Sequence, residues 1–333
     1  MTLLLGVDGG NSKSIALVAR ADGSIVAAAR RLGSADIYSK GGADAAIGLV
    51  RAVVHEALTE AGARPADIGQ AVFSMAGADW PEDFRLLEAA FGEEGFARPP
   101  LVVNDAIGAL YGAVPDGHAV VVSLGTGAAT GARGPAGRTW HSSFWQAPQG
   151  ADELARRALA AVVRSELGIA PPTTLSDRLP EATGDIGVEA VLHRFTSRER
   201  PVSDLTAPLV RALLDAAELG DLAAIEVVTT HGTGIGQLAA AAARQVAIDK
   251  APYALSFCGG LTRGGAELLI DAAIGAVRAA GQVPMRVAPR WEPAVGALAI
   301  GLRMEPMAGD WDEVAARLDE TAPPALLYDV LSG

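Results

Sequence analysis

The chain has 333 residues, half of them hydrophobic, and carries a formal net charge of −12 at pH 7. It is long enough for one large domain or two ordinary ones with a sizeable core. The negative charge argues against nucleic acid and anionic membranes as partners, because both require a basic surface. No apolar run approaches the roughly 20 residues of a membrane span, and we expect no signal peptide. The single cysteine, Cys258, cannot form an internal disulfide, so we expect a cytoplasmic protein.

The first thirty residues predict three antiparallel strands separated by two turns. Strand-like runs at residues 3–7 and 15–19 flank a glycine-rich turn, and a third run at residues 25–29 follows an Asp-Gly turn. A Rossmann or P-loop unit opens differently, because a helix follows its first strand. This opening therefore indicates another kind of α/β domain.

The rest of the first half alternates helices and strands. The predicted elements are helices at about residues 43–62 and 81–91, strands at 71–75 and 100–103, and a third helix over about 106–112. We place the end of the first lobe here, so that it comprises residues 1–114.

The second half opens in the same way as the first. A strand at residues 119–124 enters a second glycine turn, and mostly helical sequence follows from about residue 152. A strand at 253–257 leads into two further glycines, and a strand at 285–288 precedes a helix that starts near residue 293. We interpret the chain as a duplicated α/β unit with a ligand cleft between two lobes, followed by a helical extension. The predicted boundaries are 115–304 for the second lobe and 305–333 for the extension.

One glycine-rich segment does not fit a binding loop. His231 to Gly236 imitates a dinucleotide loop, but its spacing is not G-x-G-x-x-G and no acidic residue follows suitably in a strand. We predict a helix that contains glycines.

The two glycine turns are candidate phosphate-binding loops. Glycine lets a backbone approach a ligand and direct its N–H groups at phosphate oxygens. The candidate residues are Gly9, Gly10, Asn11, Ser12 and Lys13 in the first turn and Gly125, Thr126 and Gly127 in the second. An ordinary hairpin turn explains either of them alone. Two such turns with an adjacent aspartate indicate a nucleotide clamped between two lobes.

Two aspartates stand where strands end. Asp8 lies beside the first glycine turn and could hold Mg²⁺ near transferring phosphates, or cap the turn. Asp105 follows the strand at residues 100–103, where ligand groups collect in α/β sheets. It could accept the proton of an attacking hydroxyl, or cap the helix that begins at Ala106.

Taken in chain order, these motifs resemble the BadF/BadG/BcrA/BcrD ATPase family of the actin, sugar kinase and Hsp70 superfamily, which includes N-acetylglucosamine and glucosamine kinases. The resemblance covers about residues 3–303. It rests on Asp8-Gly9-Gly10 with Lys13, Ala76-Gly77-Ala78, Asn104-Asp105-Ala106, Gly125-Thr126-Gly127, Gly259-Gly260, and Pro293 with Gly296-Ala297. It implies an α/β, two-lobed, duplicated ribonuclease H-like (actin-like ATPase) fold.

The resemblance also implies ATP and Mg²⁺ as cofactors and a small sugar as substrate. Asp8 would serve Mg²⁺, Asp105 would be the catalytic base, and both hairpins would hold the ATP phosphates. Gly259 and Gly260 would lie against the adenosine. The sugar would be contacted by Gly77, Ala78 and Asn104.

Two departures from the family pattern concern the sugar side. Relatives that act on amino sugars usually carry a Gly-Asp-Glu-Gly-Ser-like segment, whereas here residues 140–150 place Pro148 where that Asp would be. Gln146 is the polar candidate that remains in the segment. The family's sugar-contacting Asn is not evident, and Asp36 stands near its place. Of Asp36 and Asp152, we prefer Asp36 as the replacement carboxylate.

The sequence thus predicts an ATP-dependent kinase of an amino sugar, N-acetylglucosamine or glucosamine, or of a related small carbohydrate. One alternative is a non-catalytic nucleotide or sugar sensor. Another is an ATPase that activates a dehydratase, but one cysteine per chain is too few for the four thiolates of a cluster shared by two subunits. Whether the chain forms a homodimer is left open.

Overall fold

A computed structural model describes residues 2–147, 149–197, 203–263, 265–304 and 310–324. Within these ranges the chain forms two five-stranded sheets with helices around them. None of the helices described combines the length and the apolar character that crossing a bilayer requires.

The first sheet contains the strands of the first half. These are β1 (Leu3–Gly9), β2 (Lys13–Arg20), β3 (Ile25–Leu32), β4 (Ile68–Met75) and β5 (Leu101–Asn104), in the spatial order β3-β2-β1-β4-β5. β1 pairs antiparallel with β2 and parallel with β4, and β4 pairs parallel with β5. The predicted antiparallel opening is confirmed.

The second sheet repeats this arrangement. Its strands are β6 (Ala119–Leu124), β7 (Ala128–Arg133), β8 (Thr139–His141), β9 (Tyr253–Cys258) and β10 (Pro284–Val287), in the order β10-β9-β6-β7-β8. β6 takes the place of β1, with two antiparallel strands on one side and two parallel strands on the other. The predicted duplication is therefore confirmed.

Eleven α-helices lie between and outside the sheets in the part of the chain that the structure describes. The first half contributes α1 (Gly42–Ala61), α2 (Pro81–Gly92) and α3 (Asp105–Ala113), and the second half contributes α4 (Ala151–Glu166), α5 (Leu175–Thr183), α6 (Val188–Thr196), α7 (Ser203–Glu218), α8 (Leu222–Gln245), α9 (Glu267–Ala279), α10 (Pro293–Met304) and α11 (Trp311–Thr321). The remainder of the predicted extension, residues 305–309 and 325–333, lies outside the described residues.

The glycine-containing segment around His231 is helical, as predicted. It lies inside α8, where Gly232 and Gly236 face α9. A Cβ at either glycine would collide with a backbone carbonyl of α9, of Leu269 or Ala273. These glycines therefore serve close packing of two helices.

The two halves of the chain exchange helices. α3 comes from the first half, yet its Ile107 and Leu110 pack against Val121 of the second sheet. α10 comes from the second half, yet its Leu298 packs against Leu4 of the first sheet. This exchange makes each sheet depend on a helix from the other half, so the packing does not divide at a single point in the sequence. The predicted lobe boundaries therefore remain a prediction.

α3 and α10 cross at backbone contact. A Cβ on Gly296 of α10 would collide with the carbonyl oxygen of Gly108 and the amide nitrogen of Gly112, both in α3. A Cβ on Gly112 would lie 2.7 Å from the carbonyl oxygen of Glu292. Backbone atoms cannot move aside as the end of a flexible side chain can, so only glycine fits.

Gly296→Ala should lower the free energy of unfolding by about 1–3 kcal/mol, because overpacking at a rigid contact outweighs alanine's helix propensity. Chemical denaturation measures this value. Gly48→Ala in α1 is the matched control, since a Cβ there meets no atom within 4 Å. The control should be neutral or stabilising by up to about 1 kcal/mol. Equal stability of the two variants would contradict the close crossing.

Candidate active site

The carboxyl ends of three parallel strands meet at one edge of the first sheet. Gly9 of β1 is in register with Met75 of β4, and Met75 is in register with Asn104 of β5. This edge of the first sheet faces the second sheet, because Gly131 of β7 lies against the first turn of α3, which follows β5. A Cβ on Gly131 would be 2.5 Å from the carbonyl oxygen of Ala106. The residues that follow these strands therefore face the cleft between the sheets.

The two glycine turns touch across this cleft. The hydroxyl groups of Ser12 and Thr126 are 2.7 Å apart, at hydrogen-bond distance. The turns are tight, with Gly10 N–H donating to Lys13 O at 3.0 Å and Gly125 N–H donating to Gly127 O at 2.9 Å. The structure thus brings the two predicted phosphate loops together.

The space around the glycines differs between the two turns. A Cβ on Gly9 would lie 2.7 Å from the Met75 sulfur, so Gly9 is required by packing. At Gly127 the nearest atom to a Cβ would be the Asn11 side-chain nitrogen at 3.7 Å, and at Gly125 it would be the Gly127 carbonyl oxygen at 4.0 Å. Gly127 thus keeps the second turn bare on the side of the first turn.

The first turn of α4 holds the second glycine turn in place. The N–H groups of Ala151 and Asp152 donate to Gly125 O at 2.9 Å and Thr126 O at 3.2 Å. A helix N-terminus often binds an anion through such N–H groups. Here the protein's own carbonyls occupy two of them, so α4 serves as a brace for the turn.

Asp8 is a buried carboxylate directly below the first turn, 9% exposed. Burial raises its pKa to about 7, with further increases from the charges of Asp105 and Glu292, while Lys13 lowers it. A carboxylate held in this way is poorly solvated and gains most from a cation. Among the described residues no three acidic, histidine or cysteine side chains gather closely enough to hold a metal alone. Mg²⁺ commonly binds one or two carboxylates and takes its other ligands from phosphates and water, which Asp8 suits.

Asp105 is the first residue of α3, and its neighbour Asn104 caps that helix. The Asn104 side-chain oxygen accepts a hydrogen bond from the Ala106 N–H at 3.0 Å. The alternative that Asp105 caps a helix starting at Ala106 is therefore wrong, because Asn104 supplies the cap and the helix begins one residue earlier. The carboxylate of Asp105 is thus available for a role other than capping α3.

The environment of Asp105 favours its protonated form. Burial raises the pKa of Asp105 to about 7, and the charges of Asp79 and Asp36 raise it too, while the backbone amides of Ala106 and Asp105 itself lower it. A general base is most effective when its pKa lies near the working pH. The site thus contains a carboxylate with the basicity that proton transfer near neutral pH requires.

Gly259 and Gly260 follow β9, as predicted, and differ from each other. Gly259 has φ +96°, and a Cβ on it would collide with the Leu124 carbonyl oxygen. Its conformation and packing explain it without a ligand. A Cβ on Gly260 would meet no atom within 4 Å, so this position has free space beside its backbone.

The predicted sugar-side residues of the first half lie together. The Asp36 carboxylate lies against Gly77, where a Cβ would be 2.6 Å from its Oδ1, and it accepts the Tyr38 N–H at 2.8 Å. The Ala78 carbonyl accepts a hydrogen bond from Asn104 Nδ2 at 3.1 Å. Asp36, Gly77, Ala78 and Asn104 are therefore neighbours around Asp105.

Gln146 is held within the second half. Its side-chain oxygen accepts a hydrogen bond from the buried Thr130 hydroxyl at 3.0 Å, and its NH₂ group donates to Gln149 at 3.4 Å. Asp152 accepts a hydrogen bond from Thr206 at 2.6 Å. Pro148, the position of the missing family aspartate, lies outside the described residues.

The sequence reasoning missed Asp79. This half-buried carboxylate accepts a hydrogen bond from Asn104 Nδ2 at 2.9 Å. Burial raises the pKa of Asp79, and hydrogen bonds to Ser143 and Asn104 lower it. The available signal was its position shortly after a predicted strand, the same signal that identified Asp105.

A model of the BadF/BadG/BcrA/BcrD ATPase family matches residues 5–301. The chain belongs to this family. The resemblance drawn from the motifs is thereby confirmed. No curated protein matches the sequence significantly.

Solved structures share the fold of this BadF/BadG/BcrA/BcrD family member. A proposed N-acetylglucosamine kinase from Chromobacterium violaceum is 22% identical with a TM-score of 0.68, over 91% of this chain and 99% of that one. A proposed N-acetylglucosamine kinase from Porphyromonas gingivalis is 15% identical with a TM-score of 0.63, over 92% and 100%. A ROK family glucokinase from Streptomyces griseus, solved with glucose and AMPPNP, is 18% identical with a TM-score of 0.59, over 90% and 98%. At these identities the likeness establishes the two-lobed, actin-like α/β fold.

The raised pKa of Asp105 makes the stability of the ligand-free protein depend on pH. Between about pH 4 and 7 the folded chain keeps a proton that the unfolded chain has lost, so the free energy of unfolding falls as the pH rises. Asp105→Asn removes this cost. The variant should exceed the wild type in stability by about 1–3 kcal/mol at pH 8, and the gain should vanish near pH 4.

Denaturant unfolding at the two pH values measures this difference. Glu88→Gln removes a charge from an exposed position of α2 and is the matched control, with no expected gain at either pH. An Asp105→Asn variant no more stable than the control at pH 8 would show that the carboxylate is well solvated.

Proposed function

We propose that this protein is an ATP-dependent kinase that phosphorylates a hydroxyl group of an amino sugar or a related small carbohydrate. The observation that carries the proposal is Asp105, a poorly solvated carboxylate with a pKa near 7 at the cleft edge. It stands beside Asp8 and close to the paired glycine turns. A base, a candidate metal ligand and two phosphate loops in one cleft are the parts that phosphoryl transfer needs.

The nucleotide would bind to the two glycine turns. Backbone N–H groups there, with the hydroxyls of Ser12 and Thr126, would contact the phosphates, and Lys13 would add a positive charge. Gly260 leaves free space where the adenosine would lie against bare backbone. Bound Mg²⁺ would neutralise phosphate charge, and Asp8 is the residue that would hold it.

The acceptor would bind beside Asp105, where Asp36, Asp79 and Asn104 surround the base. Asp105 would accept the proton of the attacking hydroxyl as that oxygen approaches the terminal phosphorus. Burial, the largest cause of its raised pKa, keeps Asp105 basic enough for this step, and the charges of Asp79 and Asp36 add smaller increases.

The charge of this pocket favours an acceptor with a free amine. The leading charges that act on Asp105 and on Asp79 are those of other carboxylates, of Asp36 and Asp83 among them. A protonated amine would reduce their mutual repulsion, whereas an N-acetyl group carries no charge. Glucosamine is thus preferred over N-acetylglucosamine. The names of the structural relatives, which are sugar kinases, support the reaction class.

The decisive experiment measures ADP release with MgATP and a panel of glucosamine, N-acetylglucosamine and glucose. We expect ADP release to depend on sugar, with the highest kcat/KM for glucosamine. Asp105→Asn should lower kcat by about 10²–10⁴ with little change in the KM for ATP, because the base is lost while the nucleotide site is intact.

Glu88→Gln is again the control and should retain wild-type kcat. Nucleotide binding with no sugar-dependent ADP release would favour the sensor alternative over a kinase. Sugar-dependent turnover in Asp105→Asn at the wild-type rate would exclude Asp105 as the base.

Asp8→Asn tests the metal assignment. The substitution keeps the side chain's shape but removes its charge, so the Mg²⁺ concentration for half-maximal activity should rise by at least about tenfold, while the sugar KM stays near the wild-type value. A Mg²⁺ titration at fixed ATP measures this shift. An unchanged Mg²⁺ dependence would remove Asp8 from the metal's surroundings.

A further inference from the structure

Aromatic side chains close one end of the cleft. Phe144, from the segment between β8 and α4, packs on two residues of the first half. Its ring centroid is 5.2 Å from that of Tyr38, edge-on, and 6.0 Å from that of Trp80, stacked. Nearby, His141 meets Phe84 edge-on at 6.2 Å. The segment from His141 to Phe144 thus docks on the opposite side of the cleft.

A buried carboxylate organises the surface on which Phe144 docks. Asp83, 6% exposed, accepts the N–H groups of Asp79 and Trp80 at 3.2 and 2.7 Å. It also accepts the Tyr38 hydroxyl, at 2.9 and 3.0 Å to its two oxygens. The Tyr38 ring and the backbone of Asp79 and Trp80 are therefore fixed by one group.

Asp79 connects this surface to the candidate base. It is the residue before Trp80, and its carboxylate accepts a hydrogen bond from Asn104 Nδ2, with 2.9 Å between nitrogen and oxygen. The side-chain oxygen of Asn104 caps α3 by accepting a hydrogen bond from the Ala106 N–H at 3.0 Å. Asp79, together with the Ala78 carbonyl, therefore fixes the orientation of the amide that sets the start of α3, where Asp105 stands.

We propose that Asp79 is a positioning residue for Asp105, acting through Asn104, and that docking of Phe144 on Trp80 holds Asp79 in its working position. This inference rests on the proposed function. Phe144 is docked on Trp80 in the structure, so the contact that joins the two halves here also aligns the base. An acceptor bound between the two halves is therefore met by a correctly placed carboxylate.

The position of Asp105 affects the rate strongly, and a second contact ties the docking segment to Asp79. A displacement of about 1 Å at a reacting group can cost about 10²-fold in rate. Ser143, next to Phe144, has φ +44°, an unusual conformation for a residue other than glycine. Its hydroxyl is 2.6 Å from His141 Nδ1 and also interacts with Asp79. The docking segment thus has a polar contact with Asp79 as well as the aromatic one.

The test compares Asp79→Ala, Asp79→Asn and Phe144→Ala with the sugar that the wild type uses best among glucosamine, N-acetylglucosamine and glucose. Asp79→Ala should lower kcat by about 10–100-fold and leave the KM for ATP unchanged. Asp79→Asn keeps an oxygen acceptor for Asn104 and should recover most of that loss. Phe144 is 57% exposed, so Phe144→Ala should fold normally and lower kcat by about 3–10-fold.

The double variant tests the coupling. If both residues act on one element, Phe144→Ala should add little to the loss in Asp79→Ala. Leu86→Ala removes another exposed apolar side chain, 44% exposed, from α2 and is the control, with wild-type kcat expected. Melting temperatures of all variants separate loss of folding from loss of alignment.

The outcomes distinguish this inference from the function on which it rests. A wild type that phosphorylates no sugar overturns the proposed function, and the inference with it. A wild type that transfers phosphate while Asp79→Ala keeps wild-type kcat overturns the inference alone. Equal losses in Asp79→Ala and Asp79→Asn would assign the effect to charge and overturn positioning through Asn104. Fully additive losses in the double variant would overturn the link to Phe144.

Discussion

The architecture depends on the backbone contact between α3 and α10. Gly112 and Gly296 let the two helices cross without side chains between them. Each helix covers the sheet of the other half, so the crossing sets how the two sheets face each other. The same contact places the start of α3, where Asp105 stands, against Gly131 of the second sheet, because Ala106 lies against that glycine.

The cleft concentrates carboxylates that are poorly solvated. Asp8 and Asp105 each have a pKa raised to about 7, first by burial and then by neighbouring acids. Such an arrangement costs stability in the ligand-free protein and is typical of sites that bind a cation or move a proton. The two ends of the cleft differ in character: polar hydroxyls meet at the glycine turns, and aromatic rings meet near Trp80.

Much of this fold could be predicted from the sequence because its signals are local. Each half opens with strands around a glycine turn, and the two sheets repeat one topology. Asp8 and Asp105 could be named because each stands at or directly after the end of a strand. The helix through His231 could be distinguished from a binding loop by its glycine spacing and by the lack of a suitable acidic residue in a following strand.

Other features have no local signal. The stacking of Trp80 on Phe144 joins residues far apart in sequence, and neither residue stands in a motif. The role of Asp79 depends on which way the Asn104 amide points, which only its partners determine. Gln146 is a polar residue of the segment predicted to lie on the sugar side. Its hydrogen bond with Thr130, however, depends on the pairing of separate segments and has no local signal. The exchange of α3 and α10 is likewise a property of the assembled fold.

This exchange has a consequence for how the chain folds as it is synthesised. One face of β1 and β2, including Leu4, Ile15 and Leu17, is covered by α10 and α11, which are synthesised long after these strands. Domains usually fold as units, the N-terminal one first. Here the first sheet keeps an apolar face uncovered until α10 and α11 have been synthesised. The N-terminal half of the nascent chain therefore cannot complete its core on its own.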